Sequence, residues 1–532
     1  MSLSSEFTSL SHDSMETDGY RRLHILRADH LLPLVLLLVV LALYRHRTAR
    51  RGLRDDVAAL NSPKWYELKI VKQVRFLSNG IRELARARRL SQGSPFRLLT
   101  NTREIVVLPP SYADLLAYED RLSFAKYFAD EFDGDGKTPG LEPYTLIADP
   151  CKRVSKLVKK RLTRCLNNLP VAMSSEASFA IEHNLQDRHD WQEIVIHQAI
   201  LDIIARMISR LFWDGDEVCR NEHWLSIMKN WSVNSVIAAF MINMAPSFLR
   251  PVIRRFSSRV HQARDDYRAA RAFIEPLIKA RRASRDQARA AGKEPPVFND
   301  IVDWIDSENE ELACDPVALQ MVLNVAAVHT TAALVTNTLV FLASDPSTLT
   351  PLRQELAAVL PHNGCQAAAL NNLKLMDSAM KECLRLKPPG VFGMHRAALQ
   401  DMKLPNGLPI HKGDRVFVDI PHMRDLNMYE SPDTFDMYRF LRMRSNPDLA
   451  IKAPLVNTSP EHLAFGHGAQ ACPGRFFAAV LSKVVLSHLL LKYDWKTVPG
   501  SETESLAIGL TKRINPKLRL FFRRRNQEFE LP

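Results

Sequence analysis

Cysteine is scarce in this 532-residue chain: there are seven, at positions 151, 165, 219, 314, 365, 383 and 472, with no Cys-x-x-Cys pair and no regular interval. An odd, scattered set argues against a disulfide framework and a structural zinc site, and fits reduced thiols in a cytosol-facing domain. No low-complexity tract and no internal repeat is present, which excludes fibrous and solenoid architectures. Basic residues outnumber acidic ones, 71 to 59, for a formal charge of +12. The basic stretches nevertheless carry no interleaved aromatics and no zinc-ligand spacing, so nucleic acid is set aside as a partner. With 46% apolar and 24% charged residues, the composition is that of an ordinary globular protein, long enough for a large enzyme with one continuous core.

A full-length membrane-spanning run is also lacking. LLPLVLLLVVLALY (31–44) provides about 21 Å of helix, short of the roughly 30 Å hydrocarbon core. Extension back to Ile25, with Arg27 and Asp29 reaching the interface, supplies the missing length. No small-x-small cleavage site follows the run, so an uncleaved anchor is favoured over a signal peptide. Arg45, Arg47, Arg50, Arg51 and Arg54 follow it, while Glu6, Asp13, Glu16 and Asp18 precede it. The positive-inside tendency then places everything after the anchor in the cytosol. The expected organisation is a luminal tail (1–24), a transmembrane anchor (25–44), a basic linker (45–62) and a catalytic domain (63–532).

Most of the remainder has helical period, giving a mainly α fold with small β sheets. FRLLT (96–100) and EIVVLPP (104–110) read as a hairpin. LPNGLPI (404–410) and RVFVDI (415–420) read as another around Asn406-Gly407. DWQEIVIHQAILDIIARMISRLF (190–212) reads as a single helix, and the stretch from Arg250 to Arg289 as a solvated amphipathic pair. Asp315 as N-cap and Pro316 at the first position predict a helix to about Ala343, stopped by Ser344-Asp345-Pro346. Its middle, NVAAVHTT (324–331), holds polar side chains in an apolar helix. Back-bonding threonines and a satisfied core histidine account for these without invoking function.

The informative stretch is AFGHGAQACPGRFFA (464–478). Cys472 precedes a strongly periodic segment, RFFAAVLSKVVLSHLLLKY (475–493), so its sulfur lies near a helix N-terminus, where unpaired amides favour thiolate. Gly466, Gly468 and Gly474 allow tight turns or close approach to something flat. A lone cysteine in this setting is a nucleophile, a buried thiol or a haem ligand, and His467 is available as a base for the first.

The spacing Phe465-x-x-Gly468-x-x-x-Cys472-x-Gly474 resembles the haem-binding signature of the cytochrome P-450 superfamily, and CPGRFFA is similar to its membrane-bound fungal members, including relatives of ent-kaurene oxidase. KECLR carries the Glu-x-x-Arg pair, Glu382 and Arg385; FDMYRF carries the later Arg439; and AAVHTT stands where the family has its oxygen-activating helix. The resemblance runs from about Pro63 to the C-terminal INPKLRLFFRRR. It implies the cytochrome P-450 fold, preceded by one transmembrane helix, and a monooxygenase using haem b, with Cys472 as axial iron ligand. A cysteine thiolate in this family pushes electron density toward O–O cleavage.

The same resemblance places Phe465 near the sulfur, Gly468 and Gly474 in the haem loop, and Arg396 at a propionate. Gln470 stands where relatives carry Arg or His for a propionate, which shifts that task toward Arg396. Glu382, Arg385 and Arg439 form the structural triad. Thr330 matches the threonine that passes protons toward oxygen, and His329 replaces the usual acidic neighbour. The partners implied are NADPH-cytochrome P-450 reductase as electron donor, cytochrome b5 and a hydrophobic small molecule. The setting implied is the endoplasmic-reticulum membrane, with a single pass and a cytosolic catalytic domain. PPGVFGMH (388–395), VAAV (325–328) and LAIGLTK (506–512) match pocket-lining positions and are mainly apolar, suggesting a fungal terpenoid, alkaloid or polyketide intermediate. Desaturation or rearrangement without oxygen insertion, and a non-catalytic haem sensor, are the alternatives.

Overall fold

The structure, a computed structural model, describes residues 57–532 except 65, 163–168, 214, 299, 308–313, 362–363, 527–528, 530 and 532. The expected tail and anchor, and the linker as far as residue 56, lie outside the described residues. Ala58–Pro532 forms one compact unit.

Its centre is the helix Pro316–Ser344, begun by the Asp315 side chain, which accepts from the Val317 amide at 3.0 Å. An apolar helix of this length is stable only when surrounded. It packs against Ile196–Phe212, Lys374–Leu386 and Arg475–Lys492, so most of its side chains are buried. The basic stretch forms two helices, Arg250–Phe256 and Ser258–Ala290.

One six-stranded sheet flanks this helical body, in the order Ala58–Ala59, Phe96–Leu99, Glu104–Leu108, Arg415–Asp419, Phe392–Ala398 and Leu122–Ser123. The first expected hairpin is present, with Phe96 opposite Val107 and Leu99 opposite Glu104. The second pairs differently. Asn406-Gly407 turns Met402–Lys403 onto Pro409–Ile410, whereas Arg415–Asp419 runs parallel to Glu104–Leu108 and antiparallel to Phe392–Ala398. All five residues of Arg415–Asp419 are buried. Such a strand needs a partner on both edges, and a two-residue hairpin arm offers only one.

The segment 190–212 also divides. Gln192–Val195 is a strand on the C-terminal Arg519–Arg524, with Val195 opposite Arg519 and Gln192 opposite Phe522, and the helix starts only at Ile196. Exposure alternates along Gln192–Val195, as in a half-buried edge strand, and pairing with a distant segment overrides the helical period.

Candidate functional site

Cys472 lies three residues ahead of the helix Arg475–Lys492, after a turn built from two glycines at positive φ, Gly466 at 71° and Gly468 at 74°. The amide of Cys472 donates to the Phe465 carbonyl at 2.9 Å, which folds 465–472 back on itself. Gly468 is required twice over: its φ is left-handed, and an added Cβ would stand 2.1 Å from the Ala117 carbonyl oxygen. Gly474 differs. Its φ is ordinary and an added Cβ would meet nothing within 4 Å, so space is left open beside Cys472. Phe465 packs partly buried against the main core.

Burial raises the Cys472 thiol, while the Gly474 and Arg475 amides and the Arg475 guanidinium pull the other way. Burial outweighs the helix-terminus effect expected from sequence, and a bound cation at the sulfur would supply the missing stabilisation of thiolate. Arg475 also donates to the Cys472 carbonyl and the Val456 carbonyl, each at 2.8 Å. His467 faces Asp114 at 3.2 Å with one ring nitrogen and Thr458 at 3.4 Å with the other. Those contacts occupy the base that a nucleophilic cysteine would need.

On the strand Phe392–Ala398, Arg396 is 2% exposed, and among the described residues its guanidinium donates only to the carbonyl of its neighbour His395, at 2.8 Å. Its Nε and one terminal nitrogen are buried with no partner among the described residues, and burial lowers it to about 10. A buried guanidinium with no facing anion is costly, so it marks a place for a negative group. Gln470 is engaged elsewhere. It accepts from the Phe124 amide and donates to the Leu122 carbonyl, both at 2.8 Å, and so ties the cysteine loop to 122–124.

Glu382, Arg385 and Arg439 come together. Arg385 grips Glu382 with two N–H bonds of 2.8 and 2.7 Å and donates to the carbonyls of Met423 and Pro432 at 2.6 and 2.7 Å. Arg439 adds a third bond to Glu382 at 3.0 Å and reaches the Glu430 carbonyl at 2.7 Å. Both Glu382 and Arg385 are fully enclosed. The helix Lys374–Leu386 is thereby tied to the run 423–439.

Midway along Pro316–Ser344, the exposed Ala326 and Thr330 sit one turn apart, with Leu323, Ala327 and Ala333 half-buried around them. These positions form one stripe at helical spacing, so that face of the helix is left partly uncovered by packing. The Thr330 hydroxyl donates to the Ala326 carbonyl at 2.8 Å, the back-bonding expected of a mid-helix threonine. The neighbouring His329 is held below its ordinary value by burial, and the Arg513 guanidinium adds to the effect. Its ring is therefore neutral near pH 7, and burial lowers His197 likewise, to about 4.

Sequence reasoning missed Asp377, Lys381 and Arg475. The first two are charged residues on a helix that looks solvated in sequence, yet both are buried. Their four-residue separation beside Glu382 was the only available signal.

A buried unpaired Arg396, open space at Gly474 and a half-buried Cys472 suit a flat, doubly anionic macrocycle carrying a thiolate-ligated metal. Residues 160–519 match the family model described as Cytochrome P450. Among curated proteins, the cytochrome P450 monooxygenase eqxH of Fusarium heterosporum is 37% identical over 89% of this chain and 91% of its own. The cytochrome P450 monooxygenase pyr3 of Aspergillus fumigatus is 36% identical over 94% and 95%. The dihydro-ML-236C monooxygenase mlcC of Penicillium citrinum is 32% identical over 94% and 95%. Among solved structures, retinoic acid-bound cyanobacterial CYP120A1 superposes with a TM-score of 0.65 at 17% identity, covering 88% of this chain and 99% of that one, and shares the fold. With the family model spanning more than half of the chain and these relatives spanning nearly all of it, the protein belongs to the cytochrome P450 family and is a P450 monooxygenase.

Proposed function

We propose that this monooxygenase holds haem b through Cys472 and oxidises a hydrophobic secondary-metabolite intermediate, with electrons drawn from NADPH by a membrane-bound flavoprotein reductase and with cytochrome b5 as an accessory donor. The observation that carries the cofactor assignment is the cysteine loop: a lone cysteine at a helix mouth, with space left open at Gly474. When bound, the haem supplies reductive dioxygen activation, with one oxygen atom leaving as water and the other entering a C–H bond. Arg396 neutralises a propionate, Gln470 fixes the loop rather than the propionate, and Phe465 shields the sulfur from water. Glu382, Arg385 and Arg439 keep the cysteine loop and the sheet in register.

Thr330 holds a proton-bearing hydroxyl on the open stripe of the central helix, parked on Ala326. Release from that carbonyl lets it donate outward from that uncovered face. His329 serves packing, because its side chain points about 100° away from that of Thr330. Ala326, Ala327 and the exposed Leu506 and Ile508 are small or apolar, which supports an apolar substrate. Terpenoid, alkaloid and polyketide intermediates fit, and the fungal relatives support that range.

The catalytic domain, 63–532, faces the cytosol behind the 25–44 anchor in the endoplasmic-reticulum membrane. The short helix Arg250–Phe256 and its flanks, with exposed Phe248, Val252 and Phe256, offer a second bilayer contact.

The test is the carbon monoxide difference spectrum of the reduced full-length protein. Wild type should give the red-shifted Soret band of a thiolate-ligated haem, and Cys472→Ser should lose it. A serine variant that kept the band would remove Cys472 as the ligand.

A further inference from the structure

The helix Lys374–Leu386 presents a second set of buried charges, distinct from Glu382 and Arg385. Lys381 is completely enclosed, and its ammonium donates to three backbone carbonyls, those of Lys452 at 2.6 Å, Pro454 at 2.8 Å and Asn457 at 3.1 Å. One turn earlier, Asp377 accepts from the Leu455 amide at 2.8 Å and pairs with Lys483 at 2.7 Å and Arg444 at 2.6 Å. Donor and acceptor thus grip the run 452–457 from one side. From the other side Arg475 holds Val456, and the same guanidinium holds the Cys472 carbonyl. Arg475 is aimed by the position of Val456, and Val456 lies between the carbonyls that Lys381 fixes.

We propose that Lys381 is a positioning residue for Cys472, acting as an obligate ammonium whose three protons lock 452–457 so that Arg475 holds the cysteine backbone in place. The proposal rests on the reading of Cys472 as axial ligand. Three carbonyls need three N–H donors, and a neutral amine has two.

The other groups facing the ammonium are Asp377 on its own helix, Arg444 beyond the next short helix, and Glu461 and His462 on the following loop, with the Phe440 ring 5.2 Å beneath. Burial lowers the ammonium to about 7; Asp377 opposes the shift, Arg444 adds to it and Glu461 opposes it. The three carbonyl acceptors, which only the ammonium can satisfy together, favour the charged form against that burial.

The test uses full-length holoprotein of wild type, Lys381→Gln and Lys381→Met. Haem content is measured separately from the fraction of loaded molecules that show the thiolate-type carbon monoxide band. That fraction should fall stepwise with donor number, from three to two to none. Variants that lose haem but keep the wild-type fraction among loaded molecules would overturn the proposal. Should neither variant load haem, amide exchange at Leu455, Val456 and Asn457, compared between wild type and Lys381→Met, decides.

If wild type shows no thiolate-type band at any pH, the ligand reading fails instead. Amide exchange at Leu455, Val456 and Asn457 then tests the clamp. Acceleration of about tenfold or more in Lys381→Met supports it, and equal rates refute it.

Discussion

Removal of Arg385 strips a fully enclosed charge pair of one partner and leaves the cysteine loop untouched. In Arg385→Ala, Glu382 loses both of its shortest bonds, at 2.7 and 2.8 Å, and keeps one from Arg439 at 3.0 Å and a weaker one from the Asp436 amide at 3.3 Å. The Met423 and Pro432 carbonyls lose donors as well. Breaking a buried pair from one side costs about 3–5 kcal/mol. At about 1.4 kcal/mol per factor of ten, this lowers the ratio of competent to incompetent molecules by roughly two to three and a half orders of magnitude. Arg439→Ala is the internal control: Glu382 then keeps its bidentate partner, so more haem should be retained. The assay is haem bound per polypeptide after expression with ample haem precursor, alongside the thermal midpoint. Normal loading in Arg385→Ala, or a lower value in Arg439→Ala, would refute the reasoning.

Three further outcomes are expected. Thr330→Ala should keep the thiolate-type spectrum yet consume NADPH with release of hydrogen peroxide, while His329→Gln should stay coupled to product within a few-fold; equal uncoupling in both would place the histidine on the proton path. Gly468→Ala should abolish haem binding, because the new Cβ would meet the Ala117 carbonyl at 2.1 Å and φ is 74°; retention of full loading would show that the loop can shift. Stability should fall as pH drops below about 6.5, since burial, seconded by neighbouring cations, holds His462 and His488 at about 3 and His395 at about 4. Their folded values lie below the unfolded one, so protons bind the unfolded chain first and the stability present above about 6.5 is lost on acidification. Thermal midpoints between about pH 7 and about pH 5 measure this, and His395→Gln should flatten the slope; an unchanged slope would refute that share of it.

The chemistry-bearing residues were legible because each sits in a short local pattern. The cysteine loop needs its glycines at fixed offsets from Cys472, and the central helix is delimited by Asp315, Pro316 and the Asp345-Pro346 stop, all within a few residues. Local sterics and capping act over such distances, so sequence alone determined that a single cysteine would be held at a helix mouth and that an apolar helix would carry a polar centre. Pairing between distant segments was not legible. Arg415–Asp419 left the nearby hairpin for Glu104–Leu108, and Gln192–Val195 became a strand only because Arg519–Arg524 lay beside it. Strand pairing rewards whichever edge the whole fold brings near, which no window of the chain encodes. The same holds for charge. In sequence, Lys381 and Asp377 are ordinary polar positions on an amphipathic helix, and Gln470 is a weakened propionate contact. Only the tertiary structure decided that the first two are enclosed among backbone carbonyls and amides, and that the third is fully used by 122–124. Burial fixes the energetic meaning of a polar side chain, and burial belongs to the assembled core rather than to the residue.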